Sequence, residues 1–154
     1  VLTLAPEALA ELRRHGEEAY PHESCGLLVG RQERGGRAAA AAVRCGNDRR
    51  DSPANRYAID PREILAAERA ARARGQEIVG FYHSHPDHPA RWSPTDLAEA
   101  HWLGCSYVIT RVAGGRAEVT RSFVLAGTGE EDKRFDEEEI RSAAGASLQA
   151  GGPP

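Results

Sequence analysis

His83-Ser84-His85-Pro86, followed after the run Asp87-His88-Pro89-Ala90-Arg91-Trp92 by Ser93-Pro94-Thr95-Asp96, is the stretch around which this chain organises itself. Just upstream, Ile78-Val79-Gly80-Phe81-Tyr82 is short, apolar and bounded by Gly75 and Pro86, which predicts a buried strand with both histidines at its end. Side chains at i and i+2 of a strand point to the same face, so His83 and His85 can share one ion. Prolines 86 and 89 exclude a regular element between the two motifs. Ser93-Pro94-Thr95-Asp96 predicts a helix start, with Ser93 as N-cap, Pro94 at the first helical position and Asp96 in the first turn. Ser93 and Asp96 then lie together at that helix end, facing back toward the strand tip once the loop closes. His83, His85 and Asp96 make three protein ligands and leave the fourth tetrahedral position of a zinc ion to water, the pattern of a hydrolytic rather than a structural site.

Each half of the motif has a blander meaning by itself. Ser-Pro-x-Asp most often marks only a capped helix. His-x-His recurs in cupins, which need a glutamate a few residues on, and none occurs between His85 and Glu99. It recurs also in amidohydrolase barrels, which take roughly 200 residues or more, whereas this chain has 154. The conjunction of strand, His-x-His-Pro and a helix opened by serine and aspartate at this spacing is what points to a metal site.

That conjunction resembles the signature of the JAMM (MPN+) metalloproteases, which cleave peptide or isopeptide bonds after the C-terminal Gly-Gly of ubiquitin-like proteins. His83, His85, Ser93 and Asp96 match every position of it. The family also carries a glutamate on an early strand, and His22-Glu23-Ser24-Cys25-Gly26-Leu27-Leu28-Val29-Gly30 resembles that segment, with Glu23 in the role. Asn55-Arg56-Tyr57-Ala58-Ile59-Asp60-Pro61 and Ser106-Tyr107-Val108-Ile109 resemble further stretches of the small bacterial branch. Within it, Asp87-His88-Pro89-Ala90-Arg91 is similar to peptidases that act on sulfur-carrier proteins. Trp92 departs from the proline more usual there, which touches loop shape and no chemical group.

The resemblance implies a zinc-dependent metallopeptidase that binds one Zn2+ and releases cysteine or another amino acid from the Gly-Gly C-terminus of a ubiquitin-like sulfur-carrier protein. It implies His83, His85 and Asp96 as metal ligands, Glu23 as general base and Ser93 as donor to the oxyanion. The Gly-Gly tail is expected in a groove beside a strand edge. The alternative is a catalytically inactive interaction scaffold of the same fold; such scaffolds lose signature residues, and this chain keeps Glu23, His83, His85, Ser93 and Asp96.

Other polar groups carry less. Asp87 and His88 adjoin the metal loop as candidate supporting or substrate contacts. His101 falls five residues after Asp96, off its helical face, and His22 points away from Glu23. Cys25, Cys45 and Cys105 show no Cys-x-x-Cys spacing, which argues against a disulfide framework or a four-cysteine zinc site. A Cys25–His83 thiol pair is disfavoured because Cys25 sits in an apolar run. The net charge of −3 gives no footprint for nucleic acid, although arginines 44, 49, 50 and 56 could form a local basic patch. No apolar window of membrane-spanning length and no signal-peptide pattern is visible, so a cytoplasmic protein is expected.

The fold class expected is α/β, a single curved mixed β-sheet flanked by helices, of the JAMM/MPN type likened to cytidine deaminases. One domain is expected over residues 1–140, with a flexible Ala/Gly/Pro-rich tail over 141–154. Helices are predicted from Pro6 to Tyr20, from Asp60-Pro61 to about Arg74, and from Ser93. Strands are predicted over Gly26 to Gly30, Ala38 to Val43 and Ile78 to Tyr82, and Tyr107 to Val112 is paired with Glu118 to Leu125 in a hairpin around Gly114-Gly115. Gly46 to Pro53 reads as a polar linker, and Glu130 to Glu139 as an acidic segment without an assigned element.

Overall fold

The computed structural model describes residues 1–47 and 57–143. The elements in chain order are β1 (Leu2–Leu4), α1 (Pro6–Ala19), β2 (Cys25–Glu33), β3 (Gly36–Cys45), α2 (Pro61–Arg72), β4 (Glu77–Pro86), α3 (Pro94–Glu99), β5 (Ser106–Ala113), β6 (Arg116–Ala126), β7 (Arg134–Glu138) and β8 (Ile140–Ser142). The strands form one sheet in the order β7-β6-β5-β4-β2-β3-β1-β8. It is mixed: β4 runs antiparallel to β2 and parallel to β5, and β1 lies parallel to both β3 and β8. The α/β class and the single mixed sheet expected from the sequence are therefore what the chain adopts.

β4 divides the core between two faces, and a register shift in its pairing with β2 at Leu28/Val29 interrupts strict alternation between Ile78 and Gly80. Val79 and Tyr82 join Leu2, Leu4, Leu12, Leu28 and Val108 beneath α1, whose Ala8, Leu12 and Gly16 are its buried stripe. Phe81 joins Leu27, Val29 and Tyr107 on the other face, under Ala67 and Ala71 of α2. Every residue from Ile78 to Pro86 is buried, because β4 has a strand on each side and a helix above each face. Such a strand reads as a continuous apolar run, which is why it was legible in sequence.

Three strands escaped the sequence reading. β1 is three residues long, β7 lies in the acidic stretch, and β8 follows directly after it; few side chains there turn inward, with Phe135 packed against Phe123 and Tyr107 and Ile140 buried below α1. Glu138 is acidic yet buried, because Arg37 of β3 donates to it at 2.9 Å while Ser106 and Ser122 donate at 2.5 and 2.9 Å. A carboxylate so paired can enter a sheet that an isolated one would disrupt. β8 carries Arg141 and Ser142, which the sequence reading assigned to the tail; residues 144–154 lie outside the described residues.

Helix α3 is shorter than the sequence suggested and ends at Glu99. His101 is thus off the helix altogether, exposed, with its Nδ1 2.8 Å from Glu130 Oε1. Most of the polar linker, and arginines 49, 50 and 56 of the basic patch, also lie outside the described residues. Arg44, the remaining member, is bound to Glu11 and Glu18 of α1. No helix among the described residues is long and apolar enough to cross a membrane.

Candidate active site

The five residues singled out by the sequence converge at the C-terminal end of β4. His83 and His85 project from one face of the strand, and their Nε2 atoms lie 3.1 Å apart. Asp96 reaches them from the first turn of α3, with Oδ1 3.4 Å from His83 Nε2 and Oδ2 3.2 Å from His85 Nε2. Its carboxylate is fixed by a capping box: Ser93 N–H donates to Asp96 Oδ2 at 2.8 Å, and Asp96 N–H donates to Ser93 Oγ at 3.0 Å. The same two residues that start the helix therefore orient the acidic group at the histidines.

Glu23 arrives from the segment before β2. The β2–β4 ladder sets Cys25 opposite His83, and Ser24 and Ser84 extend it through Ser24 N–H to Ser84 Oγ at 2.8 Å and Ser84 N–H to Ser24 O at 3.1 Å. Asn47 donates to the Glu23 carbonyl at 3.3 Å and accepts from Ala58 N–H at 3.1 Å, which ties the approach to α2 into the same corner. Glu23 is 4% exposed, and its Oε1 stands 4.0 Å from His85 Nε2. Its neighbour His22 is exposed, as alternation along an extended chain requires.

Two supports were not foreseen. The Pro89 carbonyl lies 2.8 Å from His85 Nδ1 and sets that ring's tautomer, so the prolines of the loop shape the site as well as break regular structure. Tyr57 stacks on His83 with centroids 4.4 Å apart. Neither could be found from spacing, because a carbonyl has no sequence signature and Tyr57 is remote in the chain. Asp87, expected as a supporting or substrate contact, is engaged elsewhere: it accepts from Tyr20 O–H at 2.6 Å and from Gly114 N–H at 2.8 Å, pinning the loop to the end of α1 and to the β5–β6 hairpin. His88 is exposed.

The donor set fits a zinc ion. Zinc held at about 2.0–2.1 Å by nitrogen and oxygen would need tetrahedral edges of about 3.3–3.4 Å, and the separations among His83, His85 and Asp96 fall between 3.1 and 3.4 Å. One atom each of Glu23, His83 and His85 also falls within 4.8 Å of the others. The 4.0 Å from Glu23 to His85 is long for such an edge and suits a group that touches a ligand in the fourth position. Among the described residues, Glu23 Oε2 and His83 Nδ1 are buried without a hydrogen-bond partner, an arrangement costly to leave unsatisfied.

Protonation follows from burial and proximity. Burial would raise the Asp96 carboxyl, but hydrogen bonds from His83 and His85 outweigh it and hold Asp96 far below the usual range, as an anion ready to ligate. Burial pushes His83 down, toward the neutral ring that a metal requires. Burial also opposes protonation of His85, yet Asp96, the Pro89 carbonyl and Glu23 together carry it up. Burial pushes Glu23 up from 4.5 to about 8.

That last shift has a measurable sign. In chelator-treated protein the folded Glu23 keeps a proton that the unfolded chain releases, so between pH 4.5 and about 8 rising pH favours unfolding. Urea titrations in chelator should show wild type losing about 1 kcal/mol per pH unit across this window relative to Glu23→Gln. Equal pH slopes for the two proteins would contradict the buried environment assigned to Glu23.

A model for prokaryotic homologs of the JAB domain matches residues 5–126. The chain is 35% identical over 112 residues to a desampylase of Haloferax volcanii, covering 70% of this chain and 78% of that one. It is 36% identical over 117 residues to a probable TtuB-protein conjugate cleaving protease of Thermus thermophilus, covering 76% and 74% respectively. A solution structure of a protein from Desulfitobacterium hafniense superposes with a TM-score of 0.78 at 34% identity, covering 92% of each chain.

Proposed function

The chain belongs to the prokaryotic homologs of the JAB domain, and on that premise we propose that it is a zinc-dependent peptidase. Its substrate is the peptide or isopeptide bond after the C-terminal Gly-Gly of a ubiquitin-like sulfur-carrier protein, and its product is cysteine or another amino acid. The names of two relatives, a desampylase and a conjugate-cleaving protease, support hydrolysis of a protein conjugate. The observation that carries the reading is the approach of Asp96 to within 3.4 Å of both histidine Nε2 atoms, with Glu23 buried just beyond ligand distance.

His83, His85 and Asp96 would hold the ion. Once bound there, zinc supplies Lewis acidity at the scissile carbonyl and a hydrolytic nucleophile at neutral pH. Glu23 accepts a proton as water attacks and returns it to the leaving amine, a role suited to a carboxyl whose proton affinity lies near neutrality. Ser93 Oγ already accepts from Asp96 N–H, which leaves its own O–H to donate to the developing oxyanion. The edges of the described sheet belong to β7 and β8, while β4 is paired on both sides. A Gly-Gly tail therefore meets the site from above the sheet face, not by adding a strand to β4.

A chelation series tests the assignment against thiol chemistry. Cys25 is buried, with its Sγ 3.5 Å from the Gly46 carbonyl. Phenanthroline should abolish cleavage, added zinc should restore it, and iodoacetamide should leave the rate unchanged. Loss on alkylation with survival of chelation would transfer the reaction to a cysteine.

A further inference from the structure

We propose that the cavity lined by Pro89, Arg91, Arg111 and Arg121 is a carboxylate-binding subsite for the leaving side of the scissile bond; this deepens the function proposed above and rests on it. The position follows from strand register. The β4–β5 ladder sets Ile109 beside His83 and Arg111 beside His85, and the β5–β6 ladder sets Arg121 beside Ile109. Residues in register on neighbouring strands share a face and stand about 4.8 Å apart. The two arginines thus continue the rows of the two histidines outward across the sheet. Ala90 is buried against Ile109 and Phe123 between them. Pro89 contributes to the wall of the cavity while its carbonyl faces His85 Nδ1, so cavity and histidine site share that residue.

Size and charge define what the cavity takes. Its volume is about 180 Å³, below the roughly 300–1,000 Å³ of pockets for drug-sized ligands and suited to a single residue. Three guanidiniums line it against one carboxylate, Glu118. Glu118 is 3.2 Å from Arg111 Nε, but both side chains are partly exposed, at 51% and 35%, and such pairs are weak. Arg121 reaches Glu137 only at 4.0 Å. A guanidinium has five N–H donors, so these contacts leave donors for an incoming anion.

The other flank of the histidines is different in kind. Phe81, two residues before His83 on the same face, lies with Tyr57, Ile59, Trp102 and Tyr107 in a cavity of about 280 Å³ lined largely by aromatic and aliphatic groups. The site therefore has one apolar and one cationic side. A Gly-Gly tail has no charge to offer three arginines. A single leaving residue carries its α-carboxylate one Cα from the scissile nitrogen, and a longer leaving chain can present the same group on an acidic side chain. Paired guanidinium donors recognise a carboxylate from either source.

Three tails on one carrier separate these cases: Gly-Gly-Cys with a free carboxylate, Gly-Gly-Cys carboxamide, and Gly-Gly-Cys-Glu carboxamide. The free acid should exceed the first carboxamide by about ten- to a hundredfold in kcat/KM, and Arg111→Gln/Arg121→Gln should bring that ratio toward one. Recovery with the glutamyl carboxamide would assign the carboxylate to a side chain, and no recovery to the α-carboxylate. Equal rates on all three tails in wild type would overturn the subsite. Backbone amide shifts of Ala90 and Val119 on titration with glycylcysteine and its carboxamide read binding without turnover. Shifts with the acid alone support the subsite even where no carrier is cleaved, in which case the peptidase reading is what fails; no shift with the acid overturns the subsite.

Discussion

Glu23→Gln should bind zinc with wild-type stoichiometry and cleave a carrier conjugate about a hundred to ten thousand times more slowly, the range for loss of a positioned general base. Glutamine keeps the volume and the hydrogen-bonding reach of the side chain while removing its capacity to take a proton. Glu23 stands 4.0 Å from the nearest histidine nitrogen, beyond the spacing of the other donors, so the substitution should spare the metal. Neutralising a buried carboxyl should also leave the fold intact, since burial already opposes its charged form. Zinc content by atomic emission and kcat by intact mass check both halves. Loss of zinc together with activity would instead make Glu23 a ligand alongside His83 and His85.

Asp96→Asn should show the opposite division, with the helix cap retained and the metal lost. Asparagine can still accept from Ser93 N–H through its side-chain oxygen, and Ser93 Oγ can still accept from the backbone N–H at position 96, so α3 should start at the same place. The anionic charge that sits within 3.4 Å of both ring nitrogens is gone. Zinc affinity should fall by more than about a hundredfold, exceeding the 10–100-fold typical for loss of a supporting contact, and cleavage should become undetectable. Thermal melting in chelator, compared with wild type, separates this from unfolding. Ser93→Ala provides the contrast: zinc retained, the cap weakened by about 1 kcal/mol, and the rate lowered by about a hundredfold or more.

Much of this site is written in local sequence, because its parts obey short-range rules. Residues two apart on a strand share a face, which places His83 with His85. Serine and proline open a helix with an acid in its first turn, which places Asp96 with Ser93. What brings the two motifs together is tertiary: the loop is fixed by Asp87 contacts to Tyr20 and Gly114, residues far off in the chain. Glu23 was placed by resemblance alone, and the Ser24–Ser84 bonds that hold its segment beside β4 leave no pattern in either stretch. β7 and β8 leave little trace for related reasons. The acidic residues of β7 argue against a sheet until Arg37, Ser106 and Ser122 are seen to satisfy Glu138, and that satisfaction is assembled from three other strands. β8 is only three residues long, Ile140 to Ser142, and pairs with β1 from the far end of the chain.

The same distinction separates an enzyme from a scaffold of identical fold. Nothing in the sheet order requires a reaction; the donor geometry at the end of β4 does the discriminating. The most direct test is intact-mass measurement of a ubiquitin-fold sulfur carrier bearing one cysteine after its Gly-Gly, incubated with zinc-loaded wild type and with Asp96→Asn. Release of the single cysteine by wild type alone is the predicted result. An unchanged carrier mass with zinc confirmed on the wild type, or equal release by both proteins, would contradict it.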